Sequence, residues 1–245
     1  RKKGLAYPFQ FTPPRGGATP QPLPDGARIR FNSRPRVGGR RVSRVRVAGG
    51  PAVSIHAPAW GGDNQDGVDV RKGCHDIVIE NISGSTGDDA VALTAYRDPP
   101  GSAPRYGMQI GGNDDRGEAD DVYNVTIRNV KARSAGGHGV IRLLVCDGIR
   151  MHHITVENVV DTATGEQKRP KATIRIGDSH FHKTRRCEMG EMHHVTVRDV
   201  TASGPVAVWI KGPLCDSSVI GIRTPPGGRK YDITAPVERV EMDEP

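Results

Sequence analysis

The stretch His75-Asp76-Ile77-Val78-Ile79-Glu80-Asn81-Ile82 decides the fold. A polar pair is followed by alternating apolar positions and then by an asparagine. The pattern returns as Tyr123-Asn124-Val125-Thr126-Ile127-Arg128-Asn129-Val130. It returns again as His153-Ile154-Thr155-Val156-Glu157-Asn158-Val159, and as His194-Val195-Thr196-Val197-Arg198-Asp199-Val200. The repeat starts Ile77, Val125, Ile154 and Val195 are 48, 29 and 41 residues apart. A variable period does not suit propeller blades. It suits a solenoid whose coils take insertions at one turn.

Each unit has a second strand after a Gly- or Ser-containing turn. These are Val91-Ala92-Leu93, Val140-Ile141-Arg142-Leu143-Leu144-Val145, Thr173-Ile174-Arg175-Ile176 and Val206-Ala207-Val208-Trp209-Ile210-Lys211. Alternation here has period two, as in a half-buried strand, and no segment shows a helical period. One such coil cannot bury its apolar stripe alone, whereas stacked coils build a continuous ladder of Val, Ile and Leu. The fold predicted is therefore an all-β, single-domain solenoid of stacked parallel strands. Asn81, Asn129 and Asn158 fall at one place in three repeats. Asparagines tolerate left-handed backbone and can bond along a stack, so their role is read as structural.

Residues 1–50 read as an irregular N-terminal segment with the first coils or a cap. Residues 51–224 read as the regular solenoid, with an insertion at 96–121 that walls one end of the second-strand face. Residues 225–245 read as a C-terminal cap or tail. The chain starts at Arg1 without a Met or an apolar leader, which is read as a processed or trimmed N-terminus.

Composition agrees with a narrow solenoid core. In 245 residues, hydrophobics are 35%, aromatics only 4%, and there are 31 Gly and 19 Pro. No apolar run reaches the roughly 18 residues of a membrane span, so no membrane partner is expected. The net charge of +7 points to a polyanion. Arginine is dense over 28–46 with Phe31 its single aromatic, little for base stacking; an acidic polysaccharide is an equally good polyanion, and no nucleic-acid partner is expected. Cys74, Cys146, Cys187 and Cys215 are far apart, with no metal-ligand spacing, and read as buried thiols, with one disulfide left open for a secreted protein. No metal and no cofactor are expected. Asn81-Ile82-Ser83 and Asn124-Val125-Thr126 match the glycosylation sequon but sit in strands.

Three short motifs stand at strand edges: Asn64-Gln65-Asp66-Gly67, Gly87-Asp88-Asp89 and Gly137-His138-Gly139. With the inward residues as register marks, Val68 stacks on Val91 and Val91 on Ile141. Asp66 then falls level with Asp89, and Asp88 level with His138. Adjacent coils lie about 4.7–4.9 Å apart, so these side chains converge. A carboxylate in a dry core is too costly. The aspartates are therefore expected at the turn before the strand, facing outward. Like charges so close raise the pKa of at least one carboxyl, which separates an acid from a base as glycoside hydrolysis requires. Arg175 points outward one coil beyond His138. Lys211 lies one coil further, with Trp209 on the same face as a platform for a sugar ring. The paired histidines His152-His153 and His193-His194 recur at one repeat position and read as ring stacking at a turn rather than a metal site. His180 and His182 are likewise not assigned to a metal.

In their order and repeat context, these motifs over residues 50–212 resemble glycoside hydrolase family 28, the polygalacturonase family, of the pectin-lyase-like right-handed parallel β-helix superfamily. The resemblance implies an inverting hydrolase of a pectin-like polysaccharide. In it Asp88 would protonate the glycosidic oxygen, and Asp66 and Asp89 would activate water. His138 would support the acid, and Asn64 and Arg175 would contact substrate. The fourth motif departs from the family. It reads Arg175-Ile176-Gly177, without the expected lysine, which Lys211 replaces only if the groove extends by one coil. The implied protein is a secreted or periplasmic monomer. The rival functions are a calcium-dependent polysaccharide lyase on the same fold and a non-catalytic carbohydrate-binding β-helix.

Overall fold

In a computed structural model of the protein, the described residues are 10–11, 28–31, 42–56, 66–71, 73–96, 120–177 and 185–244. The first three stretches and residues 69 and 71 are described by backbone alone. Asn64, His180, His182, residues 97–119 of the expected insertion and the side chains of the basic segment 28–46 lie outside the described residues.

Two sheets make up the molecule. One contains, in spatial order, β1 (Gln10–Phe11), β4 (Val68–Arg71), β6 (Val91–Ala95), β8 (Ile141–Val145), β10 (Ile174–Ile176), β12 (Val206–Ile210) and β14 (Arg229–Ile233). The other runs from β2 (Arg28–Phe31) through β3 (Val42–His56), β5 (Cys74–Thr86), β7 (Val122–Ser134), β9 (Met151–Asp161), β11 (Met192–Thr201) and β13 (Leu214–Arg223) to β15 (Val237–Met242). From β3 onward the chain passes from one sheet to the other and back, one coil at a time. Every ladder is parallel except β2–β3, which is antiparallel. Among the described residues there is no α-helix. The protein is an all-β parallel solenoid, and β14 and β15 carry both sheets on to Met242.

The repeats read from sequence align residue for residue. Ile77 pairs with Val125, Val125 with Ile154, and Ile154 with Val195. The unequal spacings therefore add residues at turns and leave the ladders in step. The core lies between the sheets. Ile77, Ile79, Val125, Ile127, Ile154, Val156, Val195 and Val197 meet Val91, Leu93, Ile141, Leu143, Ile174, Ile176, Val208 and Ile210, and all are buried. Each such side chain contributes roughly 1.5–3 kcal/mol on burial.

Two columns of left-handed residues flank the central strand of each coil in the larger sheet. Asp76, Asn124, His153, His194, Asp216 and Arg239 form one, with φ between 47° and 57°. Asn81, Asn129, Asn158, Asp199 and Gly221 form the other, with φ between 52° and 69°. An L residue with a Cβ pays roughly 1–2 kcal/mol to sit there, least for Asn and Asp. Side-chain bonding offsets that cost. The Asn129 amide donates to Asn81 Oδ1 at 3.1 Å, and the Asn158 amide donates to Asn129 Oδ1 at 2.8 Å. Both sequon asparagines are engaged in such ladders, since the Asn124 amide donates to Asp76. Alongside, Arg128 pairs with Glu80 and Arg198 with Glu157.

Next to the first column runs a stack of rings. His75 lies 4.6 Å from Tyr123, Tyr123 5.2 Å from His152, and His152 4.9 Å from His193, all nearly parallel. His153 stacks on His194 at 4.8 Å. The paired histidines thus stack at the turn, as their position in the repeat predicts. Partial burial, then the neighbouring His193 and His153, lowers the His152 pKa to about 4, and burial and His194 lower that of His193. The four cysteines are buried free thiols. Burial pushes Cys187 up to about 12 and Cys146 higher still, so neither forms a thiolate near neutral pH.

Asn129→Ala is expected to lower stability by about 1–3 kcal/mol, since it loses two amide bonds and meets the left-handed penalty. Asn129→Gly, free of that penalty, should cost less; denaturant midpoints of the two variants check this. Within the histidine stack, the lowered pKa of His152 favours its neutral ring in the folded state. Its contribution is therefore complete above the ordinary imidazole value of about 6.5. It declines as pH falls from there towards about 4, where His152 protonates in the folded state. His152→Tyr, which copies Tyr123 in the same stack, should flatten that part of a thermal-denaturation-versus-pH curve.

Candidate active site

The turns between the two sheets set the site. Thr86 ends β5, and its hydroxyl donates to the Asp88 carbonyl at 2.8 Å. The parallel ladder then continues through the turns. Gly67 N–H donates to Asp89 O at 2.9 Å, Val68 N–H to Ala90 O at 3.0 Å, and Gly136 N–H to Gly87 O at 3.0 Å. Successive turns are held in register, and the register places the motifs. Val68 pairs with Val91 and Val91 with Ile141, so Asp66 stands beside Asp89, and Asp88 beside His138.

Side chains follow that placement. Asp66 Oδ1 accepts the Asp89 N–H at 3.1 Å. His138 Nδ1 lies 3.4 Å from Asp88 Oδ1. The His138 N–H is in turn held by Ser134 Oγ at 3.0 Å. One oxygen each from Asp66, Asp88 and Asp89 fall within 4.8 Å of one another.

Asp88 and Asp89 sit at the turn, as expected, but the outward presentation predicted for them is corrected. Asp88 is 4% exposed and Asp89 0%. The reason lies in the next coil. Gly139 is level with Asp89 and has no side chain, so the Asp89 carboxylate packs close against it, with Oδ1 3.0 Å from where a Cβ would stand. Arg142 supplies countercharge, its Nη1 3.8 Å from Asp89 Oδ2, with its side chain 15% exposed. Burial without that cation would be prohibitive.

Along the outer face of the smaller sheet, Ala92, Arg142, Arg175 and Trp209 occupy one row, each paired with the next. Arg175 is half-buried beside the acid cluster, its Cδ 3.4 Å from where a Gly139 Cβ would lie. Lys211 stands level with Gly177 in the neighbouring coil, because Ile176 pairs with Ile210. Gly177 holds φ +70°, and a Cβ there would lie 2.7 Å from Gly212 Cα. Backbone crowding therefore excludes lysine from position 177, and Lys211 is the cation at that level. The Lys211 ammonium lies 4.4 Å over the Trp209 ring, whose N–H donates to Thr234 Oγ1. One face of Trp209 is thus taken by a cation, leaving a smaller platform for a sugar than expected.

Sequence reasoning missed Arg142 and Lys168. Arg142 was legible, since it shares the outward register of Arg175. Lys168 carries no periodic signal. It comes from the turn after β9, and its Cε lies 2.7 Å from where a Gly137 Cβ would stand, against the His138 turn. Together the cluster offers three close carboxyls, one imidazole and flanking cations. It can exchange protons with a bound group, or hold a hard cation.

No protein-family model, curated protein or solved structure matches the chain. The glycines make the placement testable. A Gly136 Cβ would stand 2.2 Å from the Gly87 carbonyl, which is backbone and cannot yield. Gly136→Ala is expected to cost at least about 1–3 kcal/mol. Gly139→Ala is tight only against the Asp89 carboxylate, at 3.0 Å, with the Ala172 carbonyl and Arg175 Cδ in ordinary contact at 3.4 Å, and should cost less while displacing that carboxylate; denaturation midpoints of the two variants check the order.

Proposed function

We propose that the protein is a polysaccharide-degrading glycoside hydrolase of the polygalacturonase type, acting with inversion on an acidic, pectin-like polymer. The observation that carries the proposal is the convergence of Asp66, Asp88 and Asp89 within 4.8 Å, with His138 at 3.4 Å from Asp88. Asp88 is the proton donor to the glycosidic oxygen, because the imidazole of His138 lies 3.4 Å from its carboxyl and can hold its proton in place. Asp66, the most exposed of the three, receives the attacking water. Asp89, bonded through its N–H to Asp66 and buried over Gly139, orients that base. Arg142, Arg175 and Lys211 lie along the outer face and suit carboxylates on the sugar. A polymer of this kind is met outside the cytoplasm, which supports a secreted or periplasmic monomer.

The closest oxygens stand nearer than the roughly 6.5–9.5 Å that separates the carboxyl groups of an inverting pair. Admitting a water between Asp66 and Asp88 therefore requires one carboxyl to turn away when substrate binds. The same closeness favours a second reading. Three carboxylate oxygens within 4.8 Å can embrace a calcium ion at about 2.3–2.6 Å from each. Arg175 or Lys211 would then serve as the base of a lyase.

Asp88→Asn is expected to reduce release of reducing ends from polygalacturonate by about 10²–10⁴-fold while the circular dichroism spectrum is kept. Turnover near wild type in that variant removes Asp88 as the acid. Activity that is abolished by a calcium chelator, with an ultraviolet-absorbing unsaturated product, replaces the hydrolase with the lyase. Binding without turnover in either form leaves a carbohydrate-binding module.

A further inference from the structure

On the opposite sheet, far from any role in the acid cluster, four imidazoles meet. In a regular strand consecutive side chains point to opposite faces. Here His153 and His194 are left-handed, with φ of 54° and 52°, and each brings its ring round to the ring of the residue before it. His152 Nδ1 lies 2.7 Å from His153 Nδ1, and His193 Nδ1 lies 2.6 Å from His194 Nδ1. The two pairs are in register in adjacent coils, with ring centroids 4.9 Å and 4.8 Å apart. His153 and His194 are exposed, and His152 and His193 half-exposed. The His153 and His194 rings border an open concavity of about 480 Å³ that also reaches Asp216, Arg239 and Glu241.

We propose that His152, His153, His193 and His194 form a surface site for one divalent transition-metal ion of the zinc, nickel or copper class. Imidazole is the ligand these ions favour, and hard cations do not compete for it. At a metal–nitrogen distance of about 2.0–2.1 Å, two ligands on one ion stand about 3 Å apart. Each Nδ1 pair needs to open by only a few tenths of an ångström to reach that span. With both rings of a pair neutral, the Nδ1–H of one donates to the Nδ1 of the other. Binding moves that proton to an Nε2 through solvent, a change of tautomer with no change of net charge. The separation between coils exceeds twice a metal–nitrogen bond, so one pair chelates and a ring of the neighbouring pair tilts in as the third ligand. Two dications this close repel strongly, which sets the stoichiometry at one.

Among the described residues, Arg150, Asp216, Arg239 and Glu241 face the cluster; Arg239 is bonded to both oxygens of Asp216, and Glu241 accepts from Ser218 Oγ. Asp216 therefore stays bound to Arg239, and the imidazoles bind the metal.

Calorimetric titration of the whole chain with NiCl2 at neutral pH, with histidine resonances followed by NMR, tests the proposal. One ion per chain is expected, with paramagnetic broadening centred on these four residues and no displacement by excess calcium. The double variant His153→Asn/His194→Asn should weaken binding by about tenfold or more. It should keep its fold, because Asn124 fills the same left-handed column. Absence of saturable binding in the wild type overturns the proposal. So does equal binding by the variant, or displacement by calcium, which would place the ion on carboxylates.

Discussion

Everything in this molecule depends on the parallel register between neighbouring coils. Side chains in a strand alternate faces, so a slip of one residue would turn the core row of Ile77, Val125, Ile154 and Val195 outward. The left-handed columns resist such a slip. Apart from Arg239 at the end of the first, each is a line of Asn, Asp, His or Gly that tolerates positive φ, with amide bonds, ring contacts or an ion pair along the stack. A displaced coil would put β-branched residues into that line. The same device then serves two ends. It bends each coil at a fixed point, and it holds distant stretches of sequence at a fixed height.

The acid cluster follows from that constraint. Asp66 and Asp88 are far apart in sequence from His138, yet the turn ladder brings them within hydrogen-bonding reach of one neighbourhood. Three carboxyls in so small a space destabilise one another, and the fold meets the cost locally. Gly139 gives Asp89 room, Arg142 gives it countercharge, and His138 borders Asp88. Groups held at such cost, where a softer arrangement would fold more easily, are what a reactive site looks like.

Much of this was legible in the sequence, and for a physical reason. Repeats of period-two apolar residues ending in asparagine carry their own register, so counting from Val68, Val91 and Ile141 was enough to set Asp66 beside Asp89 and Asp88 beside His138. The stacking of Asn81, Asn129 and Asn158 and of the paired histidines came from the same counting. What escaped was anything decided by depth or by aperiodic chain. Counting gives the height of Asp89 along the stack but not its burial, which depends on the missing side chain at Gly139. Lys168 belongs to a turn with no period. The lysine missing after Arg175 became intelligible only from the close approach of Gly177 to Gly212.

The central claim is that these carboxyls cleave a glycosidic bond by direct attack of water. The most direct measurement is proton NMR of the first product formed when the wild-type protein acts on polygalacturonate. The account predicts a new reducing end whose anomeric configuration is inverted relative to the bond cleaved, with mutarotation following later. A retained configuration would contradict attack by water, and an unsaturated product would contradict hydrolysis altogether.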